Sequence, residues 1–152
     1  MKPKFELPDA ISFNTEKIAD PVSFAKDRQA ASWLYLIGEE FAAMDGGMSY
    51  AQVRGAVAHS ENVVSDPPRV LSLELSRQHV AALDRLPRPT VVTCRTGPRA
   101  SAVAYMYSGL RAGAAPDDVL AEAERSGAPF CKFDDYKQWV RESIETLRGE
   151  EG

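Results

Sequence analysis

The sequence of 152 residues has few cysteines, few histidines and no long apolar run. Two cysteines do not make a disulfide framework, which excludes the class of small disulfide-rich scaffolds. The longest apolar runs, such as residues 33–37, are far shorter than the roughly 20 residues that a membrane-spanning helix needs. The first 30 residues contain no apolar signal core. We therefore expect a cytoplasmic or other reducing compartment, in which both cysteines stay as thiols.

The distribution of charged residues indicates no particular class of partner. The net charge is -4 and charges of both signs are interleaved, so no basic tract indicates a nucleic-acid or membrane partner. His59 and His79 fall in segments that we predict as helical, and neither has a second ligand at metal-like spacing. The sequence thus predicts no metal site and no cofactor, and the expected ligand is a small molecule.

Strand-like and helix-like segments alternate along the chain, which predicts an α/β domain with a central sheet flanked by helices. Residues 1–19 have no sustained period and contain two prolines, so we interpret them as an N-terminal arm that offers a surface for a protein partner. Residues 20–148 are expected to form the single domain. Residues 149–152 are expected to be an acidic, solvated tail.

Helix starts are indicated by local capping patterns. The predicted starts are Asp20 followed by Pro21, Ser49 with Gln52, Ser76, Pro98 and Pro116. A last amphipathic helix is predicted around Tyr136 to Leu147. Strands are predicted at residues 33–37, 70–75 and 90–93, with a short one at 63–64, whereas Asp66 precedes two prolines and predicts an irregular loop.

The most informative segment runs from a β-branched strand, through a tight loop that opens on Cys94, into a helix. Such a loop points successive backbone N–H groups inward at the helix N-terminus and forms a nest for a negative group. We expect this nest to lower the pKa of Cys94 and so make it a nucleophile. Arg99 is the predicted oxyanion ligand, and Gly97 permits the sharp turn. The alternative is an inert buried thiol.

Residues 94–99 read Cys-Arg-Thr-Gly-Pro-Arg, which resembles the Cys-Arg-x-Gly-x-Arg loop of rhodanese sulfurtransferases, whose cysteine carries a persulfide. The segment that follows, residues 113–127, instead resembles the helical tail of dual-specificity phosphatases. Over roughly residues 60–130 the sequence is similar to the phosphatase-like domain of bacterial beta-lactamase-hydrolase-like proteins, also described as sulfur transferases. This resemblance implies a dual-specificity-phosphatase-like fold.

One departure from the phosphatase pattern bears on function. Phosphatases of this class have five residues between cysteine and arginine, followed by serine or threonine. Here Ala100 stands in the arginine position, Arg99 comes one place earlier, and Ser101 keeps the hydroxyl position. A shorter loop encloses less space, which favours sulfur transfer from a small donor through a Cys94 persulfide to an acceptor thiol. A phosphomonoester phosphatase and a catalytically silent binding module remain as alternatives.

The phosphatase resemblance also implies a general acid, for which Asp66, 28 residues before Cys94, is the candidate. An aspartate before proline is equally an ordinary turn sequence. Cys131 is expected to be a packing thiol. The remaining loop residues are predicted to bind the substrate, namely Arg95, Thr96, Gly97, Pro98, Ala100 and Ser101.

Overall fold

A four-stranded sheet positions the cysteine loop. The structure, a computed structural model, describes residues 4–43, 47–66 and 71–151. Within these ranges the strands are β1 (Ile11–Phe13), β2 (Ser32–Ile37), β3 (His59–Asp66) and β4 (Thr90–Thr93). Their order in the sheet is β1-β4-β2-β3, and every neighbouring pair is parallel. The carboxyl ends of the strands therefore meet at one edge, where open α/β sheets bind ligands.

Helices flank this sheet and confirm the predicted α/β class. The α-helices of the described ranges are α1 (Pro21–Asp27), α2 (Tyr50–Ala56), α3 (Leu73–Arg85), α4 (Pro98–Ala112), α5 (Pro116–Arg125) and α6 (Asp134–Glu151), and 3₁₀ helices span Glu39–Ala43 and Pro129–Lys132. The helix that starts at the cysteine loop, α4, is buried without interruption from Arg99 to Leu110. It packs against α5, α6 and the second 3₁₀ helix, so the start of α4 is held from several sides.

Two predicted helix starts are confirmed by their capping geometry. The Asp20 carboxylate accepts hydrogen bonds from the amides of Val22 and Ser23 at the start of α1. Ser49 and Gln52 form the reciprocal capping box of α2. Both devices satisfy amides that the first helical turn leaves without a partner.

The strand predicted at residues 70–75 is wrong, although residue 70 itself lies outside the described ranges. Leu73 begins α3, and Ser72 is its N-cap, accepting from the amide of Leu75 at 3.1 Å. Ser76, which we expected to be the cap, is buried one turn further on and shares a 2.6 Å hydrogen bond with Ser143 of α6. The Ser72 cap favours a helix here, and this preference outweighs the alternating leucines that predicted a strand.

The segment around β3 also differs from expectation. His59 begins this strand rather than lying on a helix, and the short strand predicted at residues 63–64 extends to Asp66. Asp66 is paired with Ile37 of β2, so Asp66 belongs to the strand and not to the predicted irregular loop. The two prolines that follow lie outside the described residues. The sequence of β3 lacks a continuous apolar pattern because this strand lies at the edge of the sheet, where Val64 is half exposed.

Residues at both ends of the described chain join the packed structure. Ile11 pairs with Thr90, so the predicted arm contributes β1, and Phe5 is buried in the core. At the other end α6 runs through Glu151. Glu150 forms an ion pair with Arg77, and Glu151 forms one with Arg111, so these two acids are not the purely solvated charges that the sequence predicts.

We predict opposite effects for two glycine-to-alanine substitutions. A Cβ on Gly109 in α4 would lie 2.5 Å from a methyl carbon of the buried Val119, whereas Gly55 in α2 has open space. Gly55→Ala should raise the free energy of unfolding by about 0.5–1 kcal/mol through helix propensity. Gly109→Ala should lower it by about 1–3 kcal/mol because of overpacking. Urea denaturation measures both, and a stabilised Gly109→Ala variant would contradict the described packing of α4 on α5.

Candidate functional site

The cysteine loop joins β4 to α4 in four residues, 94–97. Gly97 has a φ of 116°, a conformation that side chains strongly disfavour. A Cβ at Gly97 would also overlap the carbonyl oxygen of Asn14. Pro98 occupies the first turn of α4, where its missing N–H leaves no hydrogen bond unmade. The tight turn predicted from the sequence is therefore present, and its backbone is closely confined.

Backbone amides of the loop converge on the sulfur of Cys94. Sγ accepts hydrogen bonds from the N–H of Gly97 at 3.2 Å and from the N–H of Ala100 at 3.4 Å. The amides of Thr96 and Arg99 also favour the thiolate and lower its pKa. The four N–H groups form a concave site for a negative charge that is centred on this sulfur.

The pKa of Cys94 nevertheless shifts in the direction opposite to our prediction. Cys94 is only 4% exposed, and burial raises the pKa of its thiol more than the four amides lower it. The expected depressed pKa is therefore wrong, because desolvation outweighs the nest. Burial and the nearby Glu124 raise the pKa of Cys131 to about 11. Of the two thiols, only Cys94 lies among amides that stabilise its anion.

Cys94 faces an open cavity of about 320 Å³. The lining residues are Cys94, Arg95, Thr96, Pro98, Arg99 and Tyr136. Arg99 is buried, and its Cζ lies 5.6 Å from the ring centre of Tyr136 and 5.9 Å from that of Trp139. Both distances suit a cation–π contact, which holds the guanidinium in the cavity wall.

The structure places the six predicted substrate-binding residues in three different roles. Arg95, Thr96 and Pro98 line the cavity, whereas Gly97 and Ala100 face the sulfur with their amides. The hydroxyl of Ser101 is engaged elsewhere. It donates to the carbonyl of Pro98 and accepts from the amide of Phe130 at 3.2 Å, so it joins α4 to the second 3₁₀ helix.

Tyr136 contributes to the cavity but was not among the predicted site residues. It lies in the first turn of α6, and its only sequence signal was a place in the apolar stripe of that helix. Tyr136 is buried, and Trp139 of the same helix is buried beside it. An apolar stripe does not distinguish a core residue from one at the edge of a cavity.

Asp66 is the last residue of β3, and its side chain lies outside the described part of the structure. The preceding residue, Ser65, is buried and shares a 2.9 Å hydrogen bond with Nε2 of His79. Burial and the charge of Arg99 lower the pKa of His79 to about 3. The ring of His79 also packs edge-on against the ring of Trp139, with 5.9 Å between the ring centres. The end of β3 is thus joined to a neutral histidine that lies beside the cavity wall.

Asn14 is a second residue near the loop that was not predicted from the sequence. It follows β1 directly and is 2% exposed. Its amide nitrogen donates to the carbonyls of Cys94 at 3.0 Å, Arg95 at 3.4 Å and Glu16 at 2.9 Å. Its amide oxygen accepts from the N–H of Cys94 at 3.1 Å. Because Asn14 and Cys94 are 80 positions apart, no local pattern marks this contact.

Residues 4–43, 47–66 and 71–151 contain no candidate metal site and no candidate membrane-spanning helix. There, no three histidine, cysteine, aspartate or glutamate side chains are grouped so that they could hold a metal ion. No helix of these ranges combines the length and the apolar character that membrane crossing requires.

Comparisons with known proteins find similarity in structure only. No protein-family model and no curated protein matches the sequence. A glycine-to-alanine mutant of Tk-PTP superimposes with a TM-score of 0.72 at 15% identity, covering 96% of both chains. PTPMT1 in complex with PI(5)P gives 0.61 at 13% identity, covering 97% of this chain and 98% of that one. This chain has the fold of the tyrosine and dual-specificity phosphatases.

A third solved structure agrees. TpbA from P. aeruginosa, as a cysteine-to-serine mutant in complex with pTyr, gives a TM-score of 0.57 at 18% identity, covering 90% of this chain and 83% of that one. At these identities the likeness establishes the fold, and it confirms the architecture that the phosphatase resemblance implied.

We predict that the two thiols differ in their response to an anionic alkylating reagent. In a Cys131→Ser variant, iodoacetate should label Cys94 faster than it labels Cys131 in a Cys94→Ser variant at each pH between about 6 and 9. The Cys94 rate should rise with pH throughout, because only the thiolate reacts and burial keeps its pKa above the ordinary value. Mass spectrometry over time gives both rates.

Neutral iodoacetamide is the control reagent, because the amide nest should favour the anionic reagent at Cys94 alone. Equal labelling of the two cysteines by iodoacetate would contradict the site. A Cys94 rate that is already independent of pH at about pH 6 would show that the amides prevail over burial.

Proposed function

We propose that this protein is a cysteine-dependent phosphatase acting on phosphomonoesters. The observation that carries the proposal is the sulfur of Cys94, which meets four backbone amides at an open cavity with the Arg99 guanidinium in its wall. The fold neighbours support it, since two of them are complexes with a phosphorylated ligand, pTyr in one and PI(5)P in the other. They favour this interpretation over the sulfur transfer that loop length alone suggested.

The proposed reaction proceeds in two displacements at phosphorus. The Cys94 thiolate attacks, so that an S–P bond forms while the P–O bond to the leaving group breaks and its electron pair goes to the leaving oxygen. Water then attacks phosphorus, the S–P bond breaks with its electron pair returning to sulfur as the thiolate, phosphate leaves, and the ionised acid takes a proton from the water. The amides and Arg99 stabilise the negative charge on the transferred phosphoryl oxygens. Asp66 is the proposed acid that protonates the leaving oxygen.

The state of Cys94 sets the pH dependence of this reaction. Burial raises the pKa of the thiol, so the nucleophilic thiolate is the minor form near neutral pH. For aryl phosphates whose leaving group needs no proton, activity should therefore increase with pH up to the pKa of the thiol. The amides that stabilise the thiolate also stabilise the negative charge of a bound phosphoryl group.

Sulfur transfer is the second candidate, and the count of loop residues favours it. Arg99 is the fifth residue after Cys94, and Ala100 occupies the place where phosphatases have their arginine. In this reaction the Cys94 thiolate attacks the outer sulfur of thiosulfate, an S–S bond forms, and sulfite leaves with the electron pair. An acceptor thiolate then takes the outer sulfur and restores the Cys94 thiolate. Sulfite needs no proton to leave, so Asp66 has no role.

We predict that the wild-type protein hydrolyses aryl phosphates and is inhibited by vanadate, and that Cys94→Ser abolishes hydrolysis. Asp66→Asn should lower kcat by about 10²-fold or more for phenyl phosphate, because loss of a general acid is felt most with a poor leaving group. The loss should be smaller for 4-nitrophenyl phosphate. Asp27→Asn, which changes an exposed aspartate of α1, is the matched control and should leave kcat unchanged.

Intact mass after incubation with thiosulfate decides between the two candidates. One sulfur atom added to Cys94, with no aryl phosphate hydrolysis and no vanadate binding, would overturn the phosphatase proposal in favour of sulfur transfer. If hydrolysis occurs but Asp66→Asn has no effect with either leaving group, the acid is another residue. Absence of both reactions would leave the silent binding module.

A further inference from the structure

We infer that Asn14 is a positioning residue for the Cys94 loop, so that the N-terminal segment before α1 forms part of the candidate site. Where turnover is concerned, this inference rests on the proposed function. The hydrogen bonds that support this inference orient the loop backbone, and they do so whichever reaction Cys94 carries out.

Asn14 satisfies four backbone groups with one buried side chain. An amide side chain offers two N–H donors and one oxygen with two lone pairs. The two N–H groups face three carbonyls, of Glu16 at 2.9 Å, Cys94 at 3.0 Å and Arg95 at 3.4 Å, so one N–H is shared and the bond to Arg95 is the longest. The oxygen accepts from the N–H of Cys94. A buried carbonyl left without a hydrogen-bond partner destabilises the folded state, so loss of Asn14 would disfavour this loop conformation.

These bonds determine where the loop amides point. In a trans peptide unit the C=O and the next N–H lie in one plane and point in opposite directions. The carbonyl of Arg95 is turned toward Asn14, so the N–H of Thr96 in the same unit is turned away from Asn14, toward the side on which it lowers the pKa of Cys94. The bond from the Cys94 N–H to Asn14 further restrains the backbone from which Sγ projects.

The sheet places Asn14 at this point. β1 pairs with β4 in parallel, with Phe13 opposite Val92 in the register. Asn14, the residue that follows β1, therefore lies level with the end of β4, just before Cys94. The backbone of Asn14 also adjoins Gly97, where any Cβ would overlap its carbonyl oxygen. The segment thus contacts the loop at both of its ends.

The test compares Asn14→Ala with Asn62→Ala. Asn62 is the matched control, because its amide also donates to two backbone carbonyls, of Tyr35 at 2.9 Å and Ile37 at 3.2 Å, and touches no loop residue among the hydrogen bonds described. Asn14→Ser is a milder second variant whose hydroxyl can keep one bond. Each is made together with Cys131→Ser so that Cys94 is the only thiol, and folding is checked by circular dichroism and urea denaturation.

In folded Asn14→Ala, the pH at which iodoacetate labels Cys94 at any given rate should rise by about 0.5 unit or more, because amides that favour the thiolate are no longer aimed at it. The ratio of iodoacetate to iodoacetamide rates should fall about threefold. Asn14→Ser should shift less, and Asn62→Ala should not shift. For hydrolysis of 4-nitrophenyl phosphate, kcat should fall about tenfold or more with a smaller change in KM.

The two proposals fail separately. Shifted labelling in Asn14→Ala, with no hydrolysis by the wild-type protein, would refute the phosphatase and leave the positioning role in place. Unshifted labelling in a folded Asn14 variant would overturn the positioning role whatever the activity. An equal shift in Asn62→Ala would overturn it too, since general loosening would explain the effect. If neither Asn14 variant folds, Asn14 serves stability instead.

Discussion

The pairing of β4 with a parallel strand on each side is the constraint on which the site depends. β1 and β2 flank it, and the indole of Trp33 donates to the hydroxyl of Thr93 at 2.7 Å. On the far side of the loop α4 is buried almost from its first residue. Because both ends are held by packed elements, residues 94–97 are confined to a tight turn whose amides face the sulfur of Cys94.

A buried cation organises the charges around this turn. The guanidinium of Arg99 lies against two aromatic rings, and its charge adds to burial in lowering the pKa of His79 to about 3. His79 is therefore neutral at physiological pH and bonds Ser65 without adding a second positive charge. The cavity beside Cys94 thus combines one buried arginine with inward amides, a combination that suits an anionic group more than a neutral one.

Several predictions that depend only on neighbours within a few positions agree with the structure, and others fail where a contact with a distant residue decides the outcome. The cap at Asp20, the capping box at Ser49 and the strand at residues 90–93 are all present. Two serines one turn apart, Ser72 and Ser76, fit the start of α3 almost equally well from sequence. What separates them is Ser143, which is 67 positions from Ser76 and occupies its hydroxyl.

By itself the sequence determined the order of strand, cysteine, glycine, arginine and helix, because each of these signals is local and covalently ordered. Only the tertiary structure decided that the pKa of Cys94 is raised, since the extent of desolvation depends on everything that packs around the thiol. It also placed Asn14 against the backbone of Cys94 and Tyr136 in the wall of the cavity. Their contacts join segments far apart in the chain, and hydrogen bonds of that range leave no periodic or local pattern in the sequence from which to infer them.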